Sequence, residues 1–208
     1  MRPSLLSSIL FASVLSSSFA HADDLGSNPN DPGKITRIRK GVWEVDFDTL
    51  GVLSSSTQNS TTATRFSTDG AATISRFVRD NLSVGVSILG SYDTIGGNDY
   101  SILGGAALVT NVHMRLGMGA FFKPGVAVGV LVGNHNTPLM SGLTEQDTQI
   151  GLIARLQLPI AYFVGRRFMI QAGPQLDFTA GNITPTGKPA QTFTQLAGGF
   201  AIGAGYMF

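Results

Sequence analysis

From Gly41 onward, apolar and polar side chains alternate with a period of two, the spacing of a β-strand whose two faces meet different surroundings. Trp43, Val45, Phe47, Thr49 and Gly51 share one face, while Glu44, Asp46, Asp48 and Leu50 share the other. The Ser/Thr/Asn-rich stretch Ser54 to Thr62 reads as a loop. A second strand, Ala63 to Phe77, sets Arg65, Ser67, Asp69, Thr73 and Ser75 against Phe66, Thr68, Ala72 and Ile74. After a tight turn at Val78 to Asn81, a third strand opposes Leu82, Val84, Val86, Ile88 and Tyr92 to Ser83, Gly85, Ser87 and Ser91. Asp93 to Asp99 is the next loop. The fourth strand, Tyr100 to about Val112, is apolar on both faces, so alternation alone leaves its register open.

The same pattern continues to the end of the chain. A short connection near His113 to Gly119 leads to a fifth strand, in which Phe122, Val126, Val128, Val130 and Val132 oppose Lys123, Gly125, Ala127 and Gly129. Asn134 to Asp147 is the longest polar connection. The sixth strand sets Ile150, Leu152, Ala154, Leu156 and Leu158 against Gln149, Gly151, Arg155 and Gln157. Beyond the turn Val164 to Arg167, the seventh has Phe168, Ile170, Ala172, Leu176 and Phe178 on one side and Gln171, Gly173, Gln175 and Asp177 on the other. Gly181 to Pro189 is the last loop, and the closing strand ends FAIGAGYMF, with Phe200, Ile202, Tyr206 and Phe208 on one face and small residues on most of the other. Eight strands with alternating short and long connections predict an all-β, antiparallel up-and-down barrel.

Which face is greasy decides the surroundings. The charged and amide side chains lie opposite the apolar face in every strand, and Arg76 is the one strand charge of outward parity. Three acids alternating with aromatics do not suit the core of a soluble sandwich. They suit a barrel with lipid outside and a polar lumen inside. Aromatic positions predict two girdles at the bilayer interfaces. Trp43, Phe77, Phe121, Phe122, Tyr162, Phe163, Phe168, Tyr206 and Phe208 are expected at the rim of the short turns, and Phe66, Tyr92, Tyr100 and Phe178 at the rim of the long loops.

Composition narrows the picture further. Charged residues are 13% of 208, about half the usual share for a soluble domain, and Gly reaches 26. A net charge of +1 gives no reason to expect a nucleic-acid partner. There is no cysteine, so no disulfide, thiolate metal site or Cys nucleophile is available. Residues 1–22 read as a cleaved secretory signal: Arg2, an apolar run from Leu5 to Val14, then Ala20-His21-Ala22. Residues 23–40 carry no sustained period and are expected to be a flexible N-terminal segment, leaving 41–208 as the barrel. Beyond the signal, no run of about 20 apolar residues could make a spanning helix.

On these residues the chain resembles the small eight-stranded outer-membrane barrels, the OmpA/OmpX-like group of Gram-negative bacteria. The most specific element of the resemblance is the terminal strand with Tyr206 and Phe208. The resemblance implies export to the outer membrane and contact with its lipid and lipopolysaccharide. It also implies recognition of Tyr206 and Phe208 by the barrel-assembly machinery, and a monomer with no cofactor. With the barrel filling 41–208, the wall-tethering role of OmpA itself is not carried over.

Inside such a barrel the candidate network is Glu44, Asp46, Asp48, Arg65, Asp69, Lys123, Arg155 and Asp177, with several glutamines. Eight strands leave an interior just wide enough for side chains, so a filled lumen and a structural or surface-interaction role are expected. The competing reading is a narrow channel, with Arg155 opposing the acids of the first strand. A third is a lipid A-modifying enzyme, for which His135 in the long loop would be the candidate base; His113 is placed at a turn. No distinctive nucleophile accompanies His135, so an enzyme is not expected. The interfacial aromatics singled out are Trp43, Tyr92, Tyr100, Phe168, Phe178, Tyr206 and Phe208.

Overall fold

The structure, a computed structural model, describes residues 37–58, 61–95, 99–138, 144–185 and 189–208. The expected signal at 1–22 and most of the expected segment 23–40 lie outside these residues. Among the described residues the chain forms β1 (Trp43–Gln58), β2 (Thr61–Arg79), β3 (Leu82–Ile95), β4 (Asp99–Val112), β5 (Met114–Gly117) and β6 (Ala120–Phe122). There follow β7 (Gly125–Pro138), β8 (Thr144–Gln157), β9 (Ile160–Val164), β10 (Phe168–Thr184) and β11 (Gln191–Met207).

These strands make eight staves, three of them interrupted. β4 continues into β5 past His113, β6 into β7 past Lys123-Pro124, and β8 into β9 past Leu158-Pro159. Proline has no N–H to give to a ladder, so Pro124 and Pro159 break pairing locally while the stave runs on. Neighbouring groups bridge the gaps: the N–H of Val112 donates to the carbonyl of Pro124, and that of Lys123 to the carbonyl of Pro159. All pairings are antiparallel, and β1 pairs with both β2 and β11, which closes the ring. Closure removes the free edges that an open sheet of this apolarity would expose.

Parity behaves as the sequence pattern predicts. In β11 Ile202 is 61% exposed while its neighbour Ala201 is buried. In β3 Ile88 is 71% exposed and Ser87 is buried. β4 also resolves into two faces, with Ser101, Leu103, Ala107, Val109 and Asn111 inside and Ile102 and Leu108 outside.

Four expectations need correction. Within the expected loops Ser54 to Thr62, Asp93 to Asp99, Asn134 to Asp147 and Gly181 to Pro189, the described residues are mostly strand, because β1 runs to Gln58, β2 starts at Thr61, and the other hairpins extend likewise; 59–60, 96–98, 139–143 and 186–188 lie outside the described residues. Polar side chains suit either face of a hairpin in water, and a ladder of Thr-rich strands needs no apolar stripe. The connection His113 to Gly119 is likewise a hairpin of β5 and β6, turned at Gly117 (φ 116°), Met118 (φ 48°) and Gly119 (φ 82°).

The end of the N-terminal segment is tied down rather than loose. Ile38 is fully buried, its N–H donates to Asn81 Oδ1 at 2.9 Å, and its carbonyl accepts from the N–H of Asn81 at 2.9 Å. Arg37 is ion-paired with Asp80, and the N–H of Lys40 donates to Asp80 Oδ1 at 2.9 Å. Finally, Phe77, Phe121 and Phe163 do not join an outer girdle. They point inward, sharing parity with Ser75, Lys123 and Ala161.

Candidate functional site: the barrel lumen

At the short-turn end the lumen is filled by an apolar plug. Ile38, Val42, Phe77, Phe121, Ala161, Phe163, Met169 and Met207 form one buried cluster drawn from the segment before β1 and from five strands. Phe121 meets Phe163 edge-on, with ring centroids 5.6 Å apart, and Phe77 lies 5.0 Å from the imidazole of His113. Rings at these separations are in the tilted and edge-to-face arrangements that aromatic pairs favour.

Directly against the plug lies a charged layer. Lys123 Nζ sits 2.9 Å from Glu44 Oε1 and 2.6 Å from Asp46 Oδ2, and donates to Gln171 Oε1 at 3.1 Å. His113 Nε2 is 3.2 Å from Glu44 Oε1, and Ser75 Oγ donates to Glu44 Oε2 at 3.3 Å. Gln171 Nε2 reaches Asp48 Oδ1 at 2.5 Å. Glu44 is 0% exposed and Lys123 3%, so these charges are held out of water by pairing alone.

A second layer is built around Arg155. Its Nε and Nη2 donate to Asp177 Oδ1 and Oδ2 at 2.8 and 2.7 Å, a two-pronged pair across neighbouring β8 and β10. Gln175 Nε2 donates to the same carboxylate, and Gln157 Nε2 donates to Gln175 Oε1. Asp69 approaches Arg155 only to 3.8 Å, and its Oδ1 has no hydrogen-bond partner.

The expected pairing of Arg155 with the first-strand acids is therefore wrong. Lys123 takes Glu44 and Asp46, and Arg155 takes Asp177. The reason is stagger: Lys123 lies in the break before Pro124, low in the barrel, whereas Arg155 is opposite Ala127 and Asp177, well above it. Arg65 lies on β2 opposite Ile95, and its side chain is outside the described set. His113 belongs to the lumen, not to a turn; its odd parity, shared with buried Asn111, carried that information.

Above the Arg155 layer, towards the long hairpins, the lumen opens into a cavity of about 270 Å³. One wall is apolar, from Leu89, Leu103, Leu131 and Ile153 on β3, β4, β7 and β8. His135 and Gln149 line it too, so His135 faces the cavity rather than the tip of a loop. Among the described residues no group of three or more His, Asp and Glu could hold a metal.

Outside, aromatic side chains stand at both ends. Tyr92 stacks on Tyr100 at 6.4 Å on the long-hairpin side, where Phe178 is also exposed. At the short-turn end Tyr206 stacks on Phe208 at 6.4 Å, Phe168 is exposed opposite Tyr206, and Arg76 lies 5.6 Å over the Trp43 ring.

No protein-family model matches the chain, and no curated protein matches it either. Solved structures do. The crystal structure of Neisserial surface protein A (NspA) aligns at a TM-score of 0.51 and 17% identity, covering 81% of this chain and all of that one. The N-terminal β-barrel domain of Pseudomonas aeruginosa OprF aligns at 0.39 and 19% identity, covering 79% of this chain and 97% of that one. Outer membrane protein AlkL, solved in DMPC bilayers, aligns at 0.43 and 18%, covering 88% and 97%. The likeness to NspA is one of fold, and it agrees with the eight-stave ring: the chain has the architecture of a small outer-membrane β-barrel.

Proposed function

We propose that this barrel resides in the outer membrane as a sealed structural element that presents its long hairpins, and the cavity between them, to the exterior. The observation carrying this reading is the stack of the buried apolar plug beneath the paired Lys123 layer at the short-turn end. Moving an ion through it would require breaking buried pairs and displacing packed aromatic rings together. A role in contact at the surface fits better than one in passage.

The exterior supports the placement. Ile88, Leu108, Leu152, Leu196 and Ile202 form a broad exposed apolar band, which water would not tolerate and lipid tails would cover. In this reading Trp43, Phe168, Tyr206 and Phe208 sit at the periplasmic interface, and Tyr92, Tyr100 and Phe178 at the outer one beside lipopolysaccharide. Tyr206 and Phe208 are also the residues that the assembly machinery would engage.

The chain has no cysteine, so single cysteines report position cleanly. Asn182→Cys, exposed at the long-hairpin end, should react with a membrane-impermeant maleimide on intact cells. Arg166→Cys, in the short turn, should react only after the outer membrane is permeabilised. The reverse result would invert the orientation and remove the exterior role.

A further inference from the structure

The charges of the barrel are segregated by end. Each short turn carries arginine: Arg79 closes β2, Arg115 lies on β5, and Arg166 and Arg167 join β9 to β10. Arg76 precedes Arg79 on β2, and the basic run Arg37, Arg39 and Lys40 leads into β1. Among the described residues the one acidic side chain at this rim is Asp80, already taken by Arg37 and by the N–H of Lys40. Allowing for a carboxylate at Phe208, and for Glu44, Asp46 and Asp48 lying with Lys123 behind the plug, at least four positive charges remain in surplus. The long-hairpin end is the reverse, with Asp93, Asp99, Glu145 and Asp147 against Arg65 among the described residues.

Two of the rim arginines are held on the outside of the wall rather than over the mouth. Arg76 is exposed, and its guanidinium lies 5.6 Å over the Trp43 ring. Arg167 Nη1 donates to the Tyr206 hydroxyl at 3.3 Å. Both partners are aromatic residues of the short-turn girdle, and neither neutralises the charge it holds. On the β5–β6 hairpin, exposed Leu116 and Met118 flank the arginine at 115 with apolar surface. A guanidinium above an apolar band, with its stem free to reach the headgroup level, meets phosphate oxygens there, and its planar fork matches them with two parallel donors.

We propose that the short-turn rim is a binding surface for the phosphate groups of anionic glycerophospholipids, with Arg76 and Arg167 as its lipid-facing contacts and the other basic side chains supplying the field. A soluble acidic partner approaching along the barrel axis would not reach guanidinium groups held on outward-facing rings. The leaflet assigned to these lipids, the periplasmic one, rests on the orientation proposed above. The headgroup preference does not, and vesicles of phospholipid alone test it whichever end faces out.

Trp43 is the only tryptophan of the chain, so its fluorescence reports the lipids beside Arg76. The full chain is refolded in mixed vesicles of phosphatidylcholine and phosphatidylglycerol, with either lipid brominated to quench Trp43 at short range. Quenching in vesicles of brominated phosphatidylcholine alone sets the scale for each variant. At low salt phosphatidylglycerol should be enriched beside Trp43 about threefold or more. The combined change Arg76→Gln and Arg167→Gln should bring that ratio close to one, and about 0.5 M NaCl should at least halve it in the wild type. The salt series decides the matter if the double variant does not refold. No preference in folded wild-type barrel, or one that neither salt nor the double substitution lowers, would overturn the proposal. Stronger displacement of brominated phosphatidylglycerol by lipid A than by unlabelled phosphatidylglycerol, at equal phosphate, would also overturn it by reassigning the rim to lipopolysaccharide.

Discussion

Gly203 on β11 lies directly opposite Asp48 on β1, and a Cβ at that glycine would fall on the Asp48 carboxylate. Two residue pairs further down, Gly205 faces Asp46, where a Cβ would collide with both the Asp46 carboxylate and the Met169 side chain. The closing seam of the barrel thus works by size complementarity: acids on one stave, missing side chains on the other. Gly203→Val should cost about 1–3 kcal/mol by overpacking. Urea unfolding in lipid vesicles checks this, and an unchanged midpoint would mean that the seam has slack.

Lys123 is the cation shared by Glu44 and Asp46. Lys123→Met leaves two buried carboxylates with only His113, Ser75 and Gln171 nearby, and removing one partner of a buried pair costs about 3–5 kcal/mol. Adding Glu44→Gln and Asp46→Asn to Lys123→Met should recover most of the loss, because no unpaired charge then remains. Equal stabilities for the single and triple variants would contradict the pairing.

Phe121 anchors the plug, edge-on to Phe163 and 6.5 Å from the His113 ring. Phe121→Ala should destabilise the barrel by about 3–5 kcal/mol. Tyr162→Ala, one residue before Phe163 and facing outward, should cost clearly less. Comparable losses would mean that the inner cluster is loosely packed.

Ile202 stands near the middle of the outer band, paired with Thr49 and Ala172. Ile202→Arg should cost about 2–4 kcal/mol when folding is measured in bilayers, the penalty for a midplane charge on the lipid face. The same change in detergent micelles, where the charge reaches water, should cost less. Normal folding into bilayers would mean that this face does not see lipid.

Tyr206 and Phe208 stack together at the end of β11. If the assembly machinery engages them, Phe208→Ala should slow accumulation of folded barrel in cells while leaving refolding from urea nearly unchanged. A parallel loss in both would make the pair a stability element only.

Much of this could be read from the chain. Period-two alternation gave the facing of Ile202, Ser87 and Asp177 and the pairing of first strand with last, because a barrel wall separates two solvents at every residue. What parity could not give was height. Lys123 meets Asp46 across 77 residues of sequence because Pro124 interrupts its stave low in the barrel, and stagger between staves is not written in any local pattern. Phe77, Phe121 and Phe163 were a different matter: their inward parity was visible, but their closeness to turns suggested a girdle. The polar hairpins extended beyond expectation because backbone pairing outlasts the apolar stripe that reveals it.

The sealed lumen is tested most directly by single-channel recording of the refolded full chain in planar bilayers. The expected record is flat at both polarities, with insertion confirmed by heat-modifiable gel migration of the recovered protein. Stable stepwise conductance from folded, wild-type barrel would show a continuous water path past Phe121 and Lys123, and would contradict it.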